Sequence, residues 1–445
     1  MICGPCTDLM KRRDLLQALG YGALITALPA GAHAMRRTNY GGHLTLSLPV
    51  DVSRVDPHDS ESLASALFGP SLFEGLYGIT AAGTVFPTLA EEMPQRAPEG
   101  VEIRLRPGLK FSSNKELLAK DVAHSIVRSK KMSGALGALP TPSTLPLDPY
   151  RLTFSSNAPD EVARLLALPR AALVPSHFDP HRPIGSGALS MHRVGPSLEL
   201  TRNPLCPRGG SYVDSVRVQT LSLSACLRAF EARTSDLGFL GRGLHQERKD
   251  ARAFRLPEIA EVVLIPGQGL HSFARPGVLQ NALDYLPFYP FQALGVAVQR
   301  REGRRWGGPS LTLSVSKDEP WLYAIGEELV QAWSRPDTPV RLIALAQSEL
   351  NAQTRRGEFD LRLTALTTAG LSRALTTQEL FRLDGRPPPR GGRAMTPQEA
   401  GRQLSLGVLG ALTPHGALDP RVNDFSSSGY FDLAETWLTL PPTRT

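Results

Sequence analysis

The stretch "LRPGLKFSSNKELLAKDVAHSI", Leu105 to Ile126, changes its hydrophobic period partway along. On its upstream side, "VEIRLRPGLKF" (Val101 to Phe111) alternates apolar and polar residues and breaks at Pro107-Gly108, the pattern of a half-buried strand meeting a turn. Downstream, Leu117, Leu118, Val122, Ile126 and Val127 fall on one helical stripe, with Ser112, Ser113 and Asn114 ahead of them as capping-type residues. Strand, turn and helix in close succession predict a mixed α/β chain.

The same rhythm continues on both sides. "GGHLTLSLPV" (Gly41 to Val50) predicts a strand, and "ESLASALFGPSLFEGLYGIT" has helical spacing at Leu63, Leu67, Phe68, Leu72 and Leu76, with Pro70 compatible with a helix start or a kink. "YRLTFSS" reads as a strand, "DEVARLLAL" as a helix, and Gly187 to Pro204 as a hairpin turning at Gly195-Pro196. A helix is expected from about Ala225 to Arg233, then a short strand near Leu237. "AEVVLIPG" (Ala260 to Gly267) is an apolar strand candidate, and Leu311 to Leu366 runs β-α-β-α-β, with the helix Glu319 to Ser334 opening on Pro320. "PQEAGRQLSLGVLGAL" (Pro397 to Leu412) is predicted helical, and the aromatics Tyr285, Phe288, Tyr289 and Phe291 either shape a pocket or fill core, with core the preferred reading. Residues 384–397 read as a loop.

The N-terminal end has a different character. "KRRDLLQALGYGALITALPAGAHA" (Lys11 to Ala34) joins two arginines to an apolar run, then Ala32-His33-Ala34. A membrane span needs roughly 20 apolar residues, and the run from Ala18 to Ala32 is shorter and broken by Pro29. It is expected to be a cleavable signal, residues 1–34, and Arg12-Arg13 resembles the twin-arginine export pattern. About 410 residues would remain, more than one hydrophobic core usually serves. Hydrophobic residues at 41% and charged residues at 20% are globular values. The net charge of +7 resides largely in Gly/Pro-laced arginine runs, Arg300 to Gly308 and Arg386 to Arg393, rather than in a basic face interleaved with aromatics. No nucleic-acid partner is expected. Cys206 and Cys226 would remain in a compartment where a bridge could persist, and sequence leaves their pairing open.

Chemistry-bearing motifs are few. "IGSGA" (Ile184 to Ala188) is not a nucleophile elbow, so Ser186 reads as a turn residue. No GxGxxG opens a helix and no P-loop exists. His177, Asp179 and His181 form the best metal-like group, but Pro180 interrupts it and a polar loop is the plainer reading. Glu91-Glu92 and Glu327-Glu328 sit on polar helix faces. No catalytic residue, metal or cofactor is expected.

In order, the segments resemble the extracellular solute-binding proteins of family 5, the receptors of peptide and nickel ABC importers. Val55-Asp56-Pro57 follows the first strand. Leu72 to Tyr77 matches a hLxEgLh element, and Pro87-Thr88-Leu89-Ala90 a P-x-LA run. Leu105, Arg106, Gly108, Phe111, Ala119, Asp121, Val122 and Ser125 match the family's strand-turn-helix block, with Ser113-Asn114 in place of Asp-Gly. Ile184 to Gly187 matches a hGTG loop, Arg202-Asn203-Pro204 an RNP strand end, and Gly357 to Leu361 a GxFDh strand start. Gly210, Tyr212, Asp214 and Ser235-Asp236-Leu237 fit the segments between. The loop Thr364 to Leu375 departs, lacking the Trp and the acidic residue with which the family's peptide receptors meet a ligand's amino group.

The resemblance implies a two-lobed α/β periplasmic-binding fold of type II. The first lobe is expected at 35–65, 185–255 and 412–445, a satellite subdomain at 66–184, and the second lobe at 256–411. The implied function is capture of a small-molecule or peptide ligand between the lobes and its delivery to an inner-membrane ABC permease, by a periplasmic monomer without enzymatic activity. Phe273 is expected as an apolar wall of the site, Arg275 as a donor fork, and Thr364 and Thr367 as the facing wall. The alternatives are an exported sensor or interaction protein on the same scaffold, or an exported metal-dependent hydrolase using His177 and His181.

Overall fold

The computed structural model describes residues 39–439 apart from 81, 195–196, 241–247, 249, 270–272, 274, 299–307, 389–393 and 426–430. The expected signal peptide, the hairpin turn at Gly195-Pro196 and most of both arginine runs lie outside the described residues.

Strand His43–Leu48 runs parallel to Ser215–Thr220, placing Leu44 opposite Val216 and Leu46 opposite Val218. The hairpin of Leu189–Val194 and Ser197–Arg202 completes this four-stranded sheet. Parallel neighbours need a long connection, and the intervening chain supplies one with a sheet of its own. In that satellite, Gly100–Arg104 pairs with Asp148–Phe154, and Gln95–Ala97 and Ser143–Leu145 form the edges. Val101, Ile103, Leu152 and Phe154 pack there with Val122 and Ile126 of helix Ala119–Met132. Burying each such side chain contributes about 1.5–3 kcal/mol. That helix starts later than the expected serines: Leu118 is its N-cap residue, and its amide donates to Asp121 Oδ2 at 3.1 Å. Asn114 instead makes the tight turn at φ 66°, the conformation that a departure from Asp-Gly still had to satisfy.

The glycines of Ile184 to Gly187 are required by close packing. A Cβ at Gly185 would lie 2.0 Å from the Leu72 carbonyl oxygen, and one at Gly187 2.5 Å from the Leu72 carbonyl carbon. Asn203 Nδ2 donates to the Gly187 carbonyl at 2.7 Å, which ties the RNP strand end to this loop.

A six-stranded mixed sheet takes the order Val296–Val298, Gly407–Leu412, Ala260–Pro266, Leu361–Thr367, Leu311–Ser316, Val340–Leu345. The β-α-β-α-β run is present in it, with helices Pro320–Trp333 and Gln347–Arg356 between the parallel strands. One face carries Val262, Leu264, Leu313 and Leu363 in the main core; Val263, Leu366 and Val408 on the other face pack with Leu380 and Ala400 of helices Arg373–Leu383 and Pro397–Gly401.

Two expectations fail here. The predicted helix Pro397 to Leu412 stops at Gly401, and Gly407–Leu412 is a strand inside the sheet. An apolar run buried on both faces has no period to reveal its type, and Gly401, Gly407 and Gly410 weaken a helix there. Of the four aromatics, only Phe291 is core. Phe288 is half-buried, Tyr285 is exposed, and Tyr289 is 79% exposed. Cys206 and Cys226 are both buried thiols and are not bridged to each other.

Candidate functional site

The chain passes twice between the small sheet of Leu237–Phe239, His415–Leu418 and Arg252–Arg255 and the six-stranded sheet. Residues 256–259 lead out of Arg252–Arg255 into Ala260–Pro266, and 413–414 lead from Gly407–Leu412 back into His415–Leu418. The two passages are hydrogen-bonded to each other, Leu256 N to Pro414 O at 2.8 Å and Ile259 N to Leu412 O at 2.9 Å.

Beside these passages the loop 53–62 forms a seam with the satellite and the six-stranded sheet. Arg128 donates through Nη1 to Asp56 Oδ1 at 2.8 Å and through Nη2 to Asp56 Oδ2 at 2.7 Å. Burial pushes the Asp56 carboxyl up, but the bonds and charge of Arg128 outweigh it and hold the group below the usual carboxylate range. Arg170 is buried and donates to the Asp59 carbonyl at 2.6 Å and to the Thr367 carbonyl at 3.1 Å, and it also bonds Thr367 Oγ1. The Thr367 amide reaches the Ser60 carbonyl at 2.7 Å. Glu61 pairs with Arg362 and accepts from Thr364 Oγ1 at 2.6 Å. Glu379 accepts from the Ala135 amide at 2.6 Å and from Arg382 Nε at 2.9 Å, and it also bonds Ser133.

A cavity of about 1150 Å³ opens along the passages. Phe254, Phe288, Val296, Val298 and Leu371 supply apolar wall; Glu261, Thr376, Gln398 and Thr413 supply buried polar groups. Glu261 stands on Ala260–Pro266, opposite Leu366 and Ala411. Burial, helped by the charge of Glu258, pushes its carboxyl up to about 8.

The structure brings Thr364 and Thr367 together on the strand that forms the seam, each bonded to loop 53–62. Phe273 is 1% exposed within the main core, and Arg275 is exposed just before helix Val278–Leu283. Sequence reasoning did not single out Glu261, Arg170 or Arg128. The signal for Glu261 was a lone charge inside an apolar run. Asp179 accepts the His181 amide at 2.9 Å, and His181 Nδ1 lies 3.2 Å from the Ser53 carbonyl, a loop arrangement. Among the described residues no group of three His, Cys, Asp or Glu side chains is disposed to hold a metal. Ser186 is fully buried.

Two sheets joined by paired passages, with a satellite bonded to the six-stranded sheet along the seam, define the two-lobed α/β architecture of periplasmic binding proteins. NikA from Staphylococcus aureus, in complex with Ni(L-His)2, shares it with a TM-score of 0.66 at 14% identity, over 89% of this chain and 100% of that one. The oligopeptide-binding protein AppA from Bacillus subtilis, in complex with a nonapeptide, gives 0.65 at 14% over 91% and 100%. The binding protein AgaA with agropinic acid, from A. tumefaciens R10, gives 0.67 at 14% over 90% and 99%. No curated protein matches the chain in sequence. Residues 84–253 match the family described as bacterial extracellular solute-binding proteins, family 5 middle, in agreement with the resemblance read from the motifs in that span.

Proposed function

We propose that this protein is an exported solute receptor that captures a small ligand, peptide-like or other, between two lobes and delivers it to an inner-membrane ABC permease. The first lobe is assigned to 35–65, 185–255 and 412–445, the satellite to 66–184 and the second lobe to 256–411. The observation that carries the reading is the pair of mutually bonded passages at Leu256–Pro414 and Ile259–Leu412. Adjacent connections of this kind can act as a hinge, and a ligand favours the closed form by its differential contacts with it. Thr364 and Thr367 line the closing faces on this reading, Arg275 is a further donor at the surface, and Phe273 shapes the wall from the core behind. Capture requires no nucleophile and no cofactor. Export through the Arg12-Arg13 signal, cleavage near Met35 and a periplasmic monomer complete the proposal.

The test is thermal unfolding with a panel of peptides, amino acids, sugars and metal chelates. At least one class raises the melting temperature, by about 2.7 kcal/mol of stabilisation when ligand is a hundredfold above its Kd. The absence of a shift across the whole panel contradicts the reading.

A further inference from the structure

Strand Ala260–Pro266 is buried over most of its length and carries a single charged side chain. Glu261 is 4% exposed, lines the cavity beside the passages, and its Oε2 has no hydrogen-bond partner among the described residues. Among the described residues, the charged and titratable groups around the cavity do not neutralise it. Glu258, on the passage, has the same sign. Arg255, on the strand before it, and Arg373, on the helix Arg373–Leu383, are both solvent-exposed at the rim. His415 lines the neighbouring strand of the small sheet. An ionised carboxyl without a counter-charge is strongly disfavoured in such a place. Phe254, Phe288, Val296, Val298 and Leu371 supply apolar wall, and Thr376, Gln398 and Thr413 add uncharged buried polar groups. A concave site with apolar wall and a few convergent polar groups fixes a ligand by its body and orients it by those groups, and Glu261 is the one buried carboxyl among the described lining residues.

We infer that this cavity binds a small organic cation, a primary amine or guanidine on an apolar body, whose nitrogen donates to Glu261. The inference rests on the receptor reading and names a solute class for it. In the empty protein the carboxyl, pushed up to about 8, holds its proton at neutral pH. An arriving cation stabilises the carboxylate, so the proton leaves to solvent as the charge pair forms. Affinity for the cation therefore rises with pH below about 8, by about tenfold per pH unit.

Calorimetric titration with phenethylamine and agmatine, in two buffers of different ionisation enthalpy at about pH 6.5 and about pH 7.5, tests this against 2-phenylethanol and 3-phenylpropionate. The expected result is binding of at least one cation, release of about one proton per molecule bound, and about tenfold tighter binding at the higher pH. Glu261→Gln should lose both the affinity and the proton release. Phe288→Ala should weaken binding but keep the proton release, which supplies a second readout if the first variant folds poorly. Cation binding that Glu261→Gln leaves unchanged, or binding of only the alcohol or the acid, overturns the inference. So does failure of all four probes while a peptide or sugar raises the melting temperature, and in that case the receptor reading survives. If nothing binds at all, both fall.

Discussion

Nη1 of Arg128 lies 2.8 Å from Nδ1 of His58. A guanidinium only donates, so Nδ1 must accept, while Nε2 faces the Ala172 carbonyl at 2.9 Å and must carry the hydrogen. His58 is therefore the neutral tautomer with its proton on Nε2. Burial pushes its pKa down to about 4, and the charge of Arg128 adds to the effect. The unfolded chain binds a proton near pH 6.5 that the folded one refuses. The stability tied to neutral His58 is thus full above about pH 6.5 and is lost as pH falls toward about 4. Urea unfolding across that window should show stability falling with acidity, and His58→Gln should flatten the slope.

Arg128 also holds Asp56, which is fully buried. Removing one partner of a buried pair costs about 3–5 kcal/mol when the other charge is left alone. Arg54 Nη2 still reaches Asp56 Oδ2 at 3.4 Å, so Arg128→Met is expected to destabilise by less than that. Asp56, held below the usual carboxylate range, should then titrate upward, a change readable in its carboxyl carbon chemical shift.

Arg170 joins the carbonyls of Asp59 and Thr367 across the seam. Arg170→Met leaves them without that donor at a cost of about 1–3 kcal/mol each. The same change should speed hydrogen exchange at the Thr367 amide, which bonds to Ser60, more than at Leu363 within the same sheet. Equal acceleration at both would mean that the seam does not open separately from the sheet.

Gly410 sits where a Cβ would come within 2.2 Å of the Ala297 carbonyl oxygen. Gly410→Ala must push Val296–Val298 away from Gly407–Leu412, and a loss of about 1–3 kcal/mol is expected in denaturant unfolding. Gly83→Ala, where no atom lies near the added carbon but φ is +81°, separates crowding from backbone strain.

Where the hydrophobic period was clean, the architecture could be read directly from the chain. Val101 to Phe111, Ala119 to Val127 and Leu311 to Leu366 all take the forms their spacing predicts. The strand Gly407–Leu412 was illegible because burial on both faces erases alternation, and the helix Pro397–Gly401 ahead of it made continuation look natural. The seam itself was not legible: reading along the chain marks Thr364 and Thr367 as a ligand wall, not as partners of loop 53–62. Thr364 and Thr367 follow from their place after a recognisable strand start. Their partners Glu61 and Arg170 lie 303 and 197 residues away in sequence, and no local pattern announces such contacts. Glu261 looked like one polar residue in an apolar strand, and only the packed neighbours reveal that it lacks a counter-charge among the described residues.

The central claim is that this protein carries a solute without transforming it. Native mass spectrometry of the purified protein, followed by denaturation and identification of whatever is released, decides between carrying and transforming. A single class of small molecule is expected, bound one per chain and recovered chemically unchanged after incubation with the refolded protein. Recovery of an altered compound, or a chain that holds nothing and shifts with no added ligand, would contradict it.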